Sequence, residues 1–168
     1  LALKTGAPVI GLIDSAGLRL QEATDALNAF GEIYLKQTLA SGVIPQITAI
    51  FGSCGGGLAL IPTLTDFTFM ESSKAKLFVN SPNAIDGNSI SKCDSSSPEF
   101  QSKESGIVDV VADEATIYAK IRELVSMLPG NNEDNASYEE CTDDLNRVCT
   151  DLANCVGDTS IALSTIAD

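Results

Sequence analysis

Short apolar runs alternate along the chain with a segment whose apolar residues recur every three or four positions. Residues 8–14 and 43–51 are apolar runs rich in β-branched residues, which predict strands. The first of them predicts a strand buried on both faces, as in a parallel sheet. Residues 22–39, between the two runs, predict an amphipathic helix. A strand, a helix and a second strand in this order predict an α/β fold with parallel pairing.

The remaining pattern extends this architecture. Residues 4–6 have the form of a helix end, and residues 52–57 predict a sharp glycine turn. Residues 86–105 hold seven Ser and predict a surface loop or lid, with a short helix near residues 99–104. The other predicted elements are a short helix over 58–64, strands over 67–70, 77–79 and 106–111, and helices over 113–127, 142–154 and 158–166.

Composition excludes several classes of function. The chain has 168 residues with 44% hydrophobic content, which is enough for one ordinary domain, and no apolar run is long enough to span a bilayer. Its net charge is -13, and residues 81–168 carry 17 acidic side chains against five basic ones. This balance argues against nonspecific binding to nucleic acid. With no histidine, the chain holds no Ser-His-Asp triad, no Cys-His dyad and no imidazole metal ligand.

The five cysteines favour free thiols. Their number is odd and none forms a CxxC pair, which argues against both a disulfide framework and a thiolate zinc site, so no metal is expected. This use of cysteine is typical of a reducing cytoplasm. The chain begins with Leu1 and shows no signal-peptide pattern, and we interpret it as a piece of a longer polypeptide.

The most informative segment is the glycine turn, which follows a predicted strand and opens a predicted helix. Gly55, Gly56 and Gly57 are consecutive, and each costs roughly 0.5–1 kcal/mol relative to Ala in regular structure. Backbone N–H groups at such a turn can hold an anion or a developing oxyanion. The alternative is a tight strand-to-helix crossing that binds nothing. The turn is neither a P-loop nor a GxGxxG motif.

A second loop, residues 14–19, also leaves a predicted strand. The carboxyl ends of parallel strands meet at one edge of a sheet, so this loop and the glycine turn are predicted to border one crevice. Ser15 and Cys54 are placed as nucleophiles, but neither has a histidine to activate it, and the alternatives are a turn-forming Ser and a small buried Cys. Arg19 either meets an anionic ligand or pairs with Glu22.

The two loops, in this order and separation, resemble the carboxyltransferase subunit family of biotin-dependent acyl-CoA carboxylases and decarboxylases. This family includes the β subunits of propionyl-CoA and acetyl-CoA carboxylases and the carboxyltransferase subunits of methylmalonyl-CoA and glutaconyl-CoA decarboxylases. The resemblance is carried by GAPVIGLIDSAGLRLQE, FGEIYLKQTLASGVIPQITAIFGSCGGGLALIPTLTDFTFM, SGIVDVVADE and IRELVSMLPGNN. It covers about residues 5–135.

The resemblance implies a ClpP/crotonase-like α/β fold of stacked ββα units. Residues 1–135 would form a partial N-terminal carboxyltransferase domain, and residues 136–168 a helical interdomain connection. It implies that the acyl-CoA lies on this domain and that biotin, held by a separate carrier, lies on the C-terminal domain of another subunit. The implied partners are therefore acyl-CoA, the biotin carboxyl carrier, the C-terminal carboxyltransferase domain and further copies of the chain, with indirect membrane association if the complex is a decarboxylase pump.

For the site, the resemblance implies that the backbone N–H groups of Gly56 and Gly57 hold the enolate oxygen of the thioester. Gly55, Ala16, Gly17 and Arg19 would contact the substrate. The resemblance also implies that the released biotin ureido group acts as base, so the mechanism needs no histidine. Residues 86–105 lie where the family contacts substrate.

This sequence departs from the family pattern at several positions. The family often has Gly-Gly-Ala-Arg after the Asp-Ser, whereas residues 16–19 here are Ala-Gly-Leu-Arg. The family also commonly has Ala at the position of Gly55. A family histidine is replaced by Asp109. The expected activity is carboxyl transfer between carboxybiotin and an acyl-CoA, with the chain inactive alone. The alternatives are a biotin-independent crotonase-type hydratase or thioesterase, which would want a carboxylate near the glycine turn, and a non-catalytic scaffold fragment.

Overall fold

The computed structural model describes residues 1–135 and, beyond them, only positions 142, 144, 146–148 and 150. The chain divides into two units, Leu1–Ser137 and Tyr138–Asp168, and the helices and strands described here all lie in the first. The two helices predicted over 142–154 and 158–166 fall largely outside the described residues. The predicted interdomain connection over 136–168 therefore stays a prediction.

Five parallel strands form one sheet. The strands are β1 (Val9–Ser15), β2 (Gln46–Gly55), β3 (Phe67–Glu71), β4 (Lys76–Phe78) and β5 (Val110–Ala112). Their order is β1-β2-β3-β5, and β4 pairs with the carboxyl end of β2. The predicted α/β class with parallel pairing is confirmed. The last strand is shorter than the predicted run over 106–111, because only its end pairs with β3.

The helices flank this sheet. They are α1 (Ala2–Thr5), α2 (Ala23–Ala40), α3 (Leu60–Thr63), α4 (Pro98–Lys103) and α5 (Glu114–Met127), with 3₁₀ turns at Leu20–Glu22, Gly56–Ala59 and Pro82–Ala84. Gly6 ends α1 in the left-handed conformation, and the Asp113 carboxylate caps α5 by accepting from the Thr116 N–H. No helix within the described part of the chain is both long and apolar enough to cross a bilayer.

The core lies on both faces of the central strand. Residues 46–50 of β2 are all buried, and successive side chains of a strand point to opposite faces. Ile47 packs with Ile117 and Ile121, one turn apart on α5, in one apolar cluster, whereas Ile50 and Met70 belong to another. Burying each of these large side chains contributes roughly 1.5–3 kcal/mol, so β2 is held rigidly at the point where it delivers the glycine turn.

The prediction that the first strand is buried on both faces was wrong. β1 is an edge strand, and Val9, Ile10 and Leu12 are 40%, 45% and 57% exposed. An apolar run alone does not distinguish an edge strand from a central one. Part of the predicted apolar face of α2 is also exposed to solvent, since Leu27 is 60% exposed.

The Ser-rich segment over 86–105 is anchored rather than being a free lid. The predicted short helix in it is confirmed as α4, and Ser97 caps that helix by accepting from the Phe100 N–H. Gln101 is buried and donates to the carbonyl oxygens of Ser95 and Leu77. The Lys76 ammonium also pairs with the Asp94 carboxylate at 2.6 Å. These contacts tie the segment to β4.

We expect the chain to self-associate through the exposed edge of β1. An unpaired strand edge with apolar side chains is a template for pairing with another chain. Replacing Ile10 and Leu12 together with Lys should reduce the associated fraction, because charge at an edge opposes pairing. Light scattering coupled to gel filtration, at roughly tens of micromolar protein, measures this. Val79→Lys is the control, because Val79 is 61% exposed but lies outside the strands. A strictly monomeric wild-type chain would contradict the expectation.

Candidate functional site

The carboxyl ends of β1 and β2 bring the two sequence motifs together. Ile13 pairs with Ile50, whereas Ser15 pairs with Cys54, so the register shifts between them. At this shift the Asp14 carboxylate accepts from the Ser53 N–H at 3.1 Å. The loop after β1 and the glycine turn therefore lie side by side at one edge of the sheet, where open α/β sheets bind ligands.

The glycine turn starts later than the sequence predicts. Residues 52–55 still belong to β2, and Gly55 remains paired with Phe78 of β4. The chain leaves the sheet at Gly56, whose φ is +62°, a conformation that favours glycine. A 3₁₀ turn over Gly56–Ala59 follows and passes directly into α3, so the predicted helix is confirmed as a short one. The first N–H groups of such a turn find no acceptor inside it.

Ala16, Gly17 and Gly55 are in close contact. A Cβ atom at Gly55 would lie 2.7 Å from the Ala16 carbonyl oxygen and 2.9 Å from the Phe78 ring. One at Gly17, where φ is +127°, would lie 3.1 Å from the Gly55 carbonyl oxygen. The two loops thus pack backbone against backbone. This contact by itself requires glycine or another small residue at positions 17 and 55. Part of the glycine in the two loops is therefore explained without a ligand.

Two aromatic residues of α2 reach the turn. The Tyr34 hydroxyl donates to the Gly57 carbonyl oxygen at 2.5 Å, and the Tyr34 ring stacks on that of Phe30 with centroids 5.9 Å apart. The sequence places both residues on the apolar stripe of the helix, and that stripe is the only signal it gives. It does not show that the hydroxyl would meet a carbonyl oxygen 23 residues away.

Cys54 lies beneath the turn as a small buried residue. It is fully buried, and its thiol faces the Leu58 carbonyl oxygen at 3.6 Å. Burial raises the pKa of the Cys54 thiol to about 12. Because the thiolate is the reactive form, this environment opposes a nucleophilic role, in agreement with the packing alternative.

We expect Cys54 to resist alkylation when Cys93 reacts. At pH 8 a thiol with a pKa of about 12 is only about 0.01% thiolate, and Cys54 is also buried, whereas Cys93 is exposed. Peptide mass spectrometry after brief iodoacetamide treatment of the folded chain measures both sites. Cys93 is the internal control. Alkylation of Cys54 as fast as Cys93 would show that the Cys54 thiol is accessible and activated.

The polar residues of the β1 loop make local contacts. Arg19 is 83% exposed at its side chain and pairs with Glu22 at 3.4 Å, which is one of the two alternatives for this residue. The Ser15 hydroxyl and the Gly17 backbone lie within hydrogen-bonding distance of each other, as in a turn. Arg19 pairs within its own loop, and its role toward a ligand stays a prediction.

Three acidic residues are hydrogen-bonded to backbone N–H groups. Asp66 accepts from the Gln46 N–H at the start of β2, which is the end of the strand remote from the turn. Asp14 is held by Ser53 upstream of the glycines. Asp109, at the family histidine position, accepts from the Thr68 N–H at 2.7 Å. Within residues 1–135, no group of three metal-ligating side chains comes together.

Comparison with protein families and curated proteins gives one consistent result. The carboxyl transferase domain family matches residues 1–162. The chain is 40% identical over 150 residues to the methylmalonyl-CoA decarboxylase subunit alpha of Propionigenium modestum, covering 87% of the chain and 29% of that relative. It is 41% identical over 161 residues to the propionyl-CoA carboxylase carboxyltransferase subunit of Haloferax mediterranei, covering 94% and 31%. The chain thus spans less than a third of the length of either relative.

Solved structures show the same likeness. Transcarboxylase 12S, described as a hexamer with hydrolysed methylmalonyl-CoA bound, matches with a TM-score of 0.80 and 32% identity over 90% of this chain and 30% of its own. The β subunit of geranyl-CoA carboxylase from P. aeruginosa matches with a TM-score of 0.67 and 26% identity over 76% and 25%.

Proposed function

The chain belongs to the carboxyl transferase domain family, and on that premise we propose that it forms the acyl-CoA-binding half of a biotin-dependent carboxyltransferase. Its crotonase-like α/β fold is that of transcarboxylase 12S. The observation that carries the proposal is the glycine turn at the carboxyl end of β2, which leaves the sheet beside the Ala16–Gly17 loop. In the proposed complex, the two loops flank the thioester group of the acyl-CoA.

The proposed chemistry requires hydrogen-bond donors at one oxygen. When the α-carbon of an acyl thioester loses a proton, or its carboxyl group as CO2, the electron pair of the broken bond stays behind and is delocalised onto the thioester oxygen as an enolate. We assign the backbone N–H groups of Gly56 and Gly57 to that oxygen. Donors fixed before the reaction stabilise developing charge because they need no reorganisation as the charge appears.

Two side chains beside the turn make contacts within the fold. Cys54 is buried with a raised pKa, and the exposed Asp14 carboxylate accepts from the Ser53 N–H. In the proposed reaction the proton acceptor comes from outside this chain. Biotin, on a separate carrier, supplies the carboxyl group and the base when it is bound.

The partners follow from this assignment. We propose that the chain acts with a C-terminal carboxyltransferase domain, a biotin carboxyl carrier and further copies of itself in the cytoplasm. The hexamer described for transcarboxylase 12S supports an oligomeric assembly.

Isothermal titration of the chain with propionyl-CoA, methylmalonyl-CoA and free CoA tests the proposal. We expect the acyl-CoAs to bind with a Kd in the range of about 1 μM to 1 mM, and more tightly than CoA without an acyl group.

Three results would contradict the proposal. Absence of any CoA binding by the folded chain would favour the scaffold alternative. Hydrolysis of either acyl-CoA without biotin, detected by chromatography of the titrated sample, would favour the thioesterase alternative. Hydration of an added enoyl-CoA, detected in the same way, would favour the hydratase alternative.

A further inference from the structure

One face of α2 is hydrogen-bonded to the segment that follows the glycine turn. Tyr34 and Gln37 lie three residues apart, so they share a face of the helix. The Tyr34 hydroxyl donates to the Gly57 carbonyl oxygen, and the Gln37 side-chain amide donates to the Ile61 carbonyl oxygen at 3.5 Å. The two acceptors are themselves about one helical turn apart. Two side chains of α2 therefore hold the start and the end of the segment over 57–61.

The Tyr34 hydrogen bond is additional to the local bonding of the turn. The Gly57 carbonyl oxygen already accepts from the Leu60 N–H, as the 3₁₀ turn requires. The Tyr34 hydroxyl supplies a second donor from a distant element. A peptide group is planar, so fixing the Gly57 carbonyl oxygen fixes the peptide that joins Gly57 to Leu58. The Gly57 N–H, one of the assigned donors, belongs to the preceding peptide and is restrained through the Cα atom that the two peptides share.

Glycine makes such a restraint necessary. Gly55, Gly56 and Gly57 have no side chains to limit their backbone angles, and a mobile turn would present its N–H groups poorly. A Cβ atom at Gly57 would lie only 3.0 Å from the Tyr34 hydroxyl oxygen and 3.6 Å from the Phe30 ring. Because Gly57 has no side chain, the Tyr34 hydroxyl can approach its backbone closely enough to form the hydrogen bond.

The Tyr34 side chain is suited to this task. Its ring is half-buried and stacks on Phe30, so its hydroxyl has a defined position. Desolvation by burial raises the pKa of the Tyr34 phenol, so the hydroxyl stays protonated and able to donate throughout the neutral range.

We propose that Tyr34 is a positioning residue for the thioester site: its hydroxyl holds the Gly57 peptide so that the backbone donors of the turn meet the acyl oxygen in a fixed geometry. This inference rests on the proposed function. It predicts that the polarisation of the bound thioester, rather than the affinity for CoA, depends on the hydroxyl.

Infrared difference spectroscopy with propionyl-CoA labelled with ¹³C at the thioester carbonyl tests this in the wild-type chain, Tyr34→Phe and Tyr118→Phe. Tyr34→Phe keeps the ring and removes only the hydroxyl. Tyr118 stacks on Phe51 elsewhere in the fold, so Tyr118→Phe is the matched control. In the wild type the carbonyl stretch should move to lower frequency on binding. In Tyr34→Phe we expect that shift to fall by about half while the Kd for propionyl-CoA changes less than about threefold. Tyr118→Phe should retain the full shift.

The possible failures are distinct. If the wild-type chain shifts the carbonyl stretch and a folded Tyr34→Phe chain shifts it equally, the positioning role is wrong and the proposed function stands. If Tyr34→Phe loses affinity for free CoA as much as for propionyl-CoA, Tyr34 has only a structural role. If the wild-type chain produces no shift at all, the proposed thioester site is wrong and the role of Tyr34 is lost with it.

Discussion

Gly57→Val should lower carboxyl transfer by about 100- to 1,000-fold, the usual cost of losing one oxyanion-stabilising donor. The measurement is a transfer assay in the assembly of this chain with its C-terminal domain and biotin carrier. Gly56, not Gly57, has the positive φ, so strain in the backbone is not the cause at Gly57. A valine at position 57 keeps the backbone N–H but would collide with the Tyr34 hydroxyl and the Phe30 ring, so we expect it to move that N–H away from the thioester oxygen.

The matched control for this prediction is Gly31→Val. It makes the same change in α2, where a Cβ atom meets no neighbour, so it should leave the transfer rate near that of the wild type. Thermal unfolding of both variants separates a loss of activity from a loss of fold. A folded Gly57→Val protein that retains most of its transfer rate would rule out Gly57 as a donor.

Gly55→Ala should destabilise the fold by about 1–3 kcal/mol, because it adds a methyl group where there is no room. Its Cβ atom would lie 2.7 Å from the Ala16 carbonyl oxygen and 2.9 Å from the Phe78 ring, and the first of these is backbone that cannot rotate away. Alanine is what the resembled family commonly has at this position, so the prediction also tests whether the contact of the two loops is particular to this chain. Urea unfolding followed by circular dichroism measures the change.

Gly31→Ala provides the contrast for Gly55→Ala. It replaces a helical glycine in open space and should be neutral or stabilising by up to about 1 kcal/mol. Equal unfolding midpoints for Gly55→Ala and the wild type would show that the β1 loop yields to the methyl group without cost.

The sequence predicted the order of elements because each element carries a local signal. The apolar run of β2 and the three- and four-residue spacing of α5 are visible without tertiary structure, and Asp113 marks the start of the latter helix. The glycine turn was also found locally, since three consecutive glycines are rare in regular structure. Its position at the carboxyl end of a buried parallel strand followed from the predicted topology.

The features that the sequence did not reveal depend on contacts between distant segments. The edge position of β1 is set by which strand finds a neighbour, and an apolar run is compatible with either place. The extension of β2 through Gly55 arises because β4 pairs with its end. The Tyr34 hydroxyl meets Gly57 because α2 packs beside the turn, and a tyrosine on an amphipathic helix gives no sign of that partner.

The central claim is that the thioester oxygen of an acyl-CoA binds to the backbone of the glycine turn, and an NMR titration of the ¹⁵N-glycine-labelled chain tests it most directly. The chain has 13 glycines, and substitution of single positions assigns those that matter. On addition of propionyl-CoA or methylmalonyl-CoA, the amide proton signals of Gly56 and Gly57 should move downfield, while that of Gly31 stays in place. Free CoA should move the first two much less. Amide signals of Gly56 and Gly57 that do not move at saturating acyl-CoA, or that move equally with free CoA, would contradict the account.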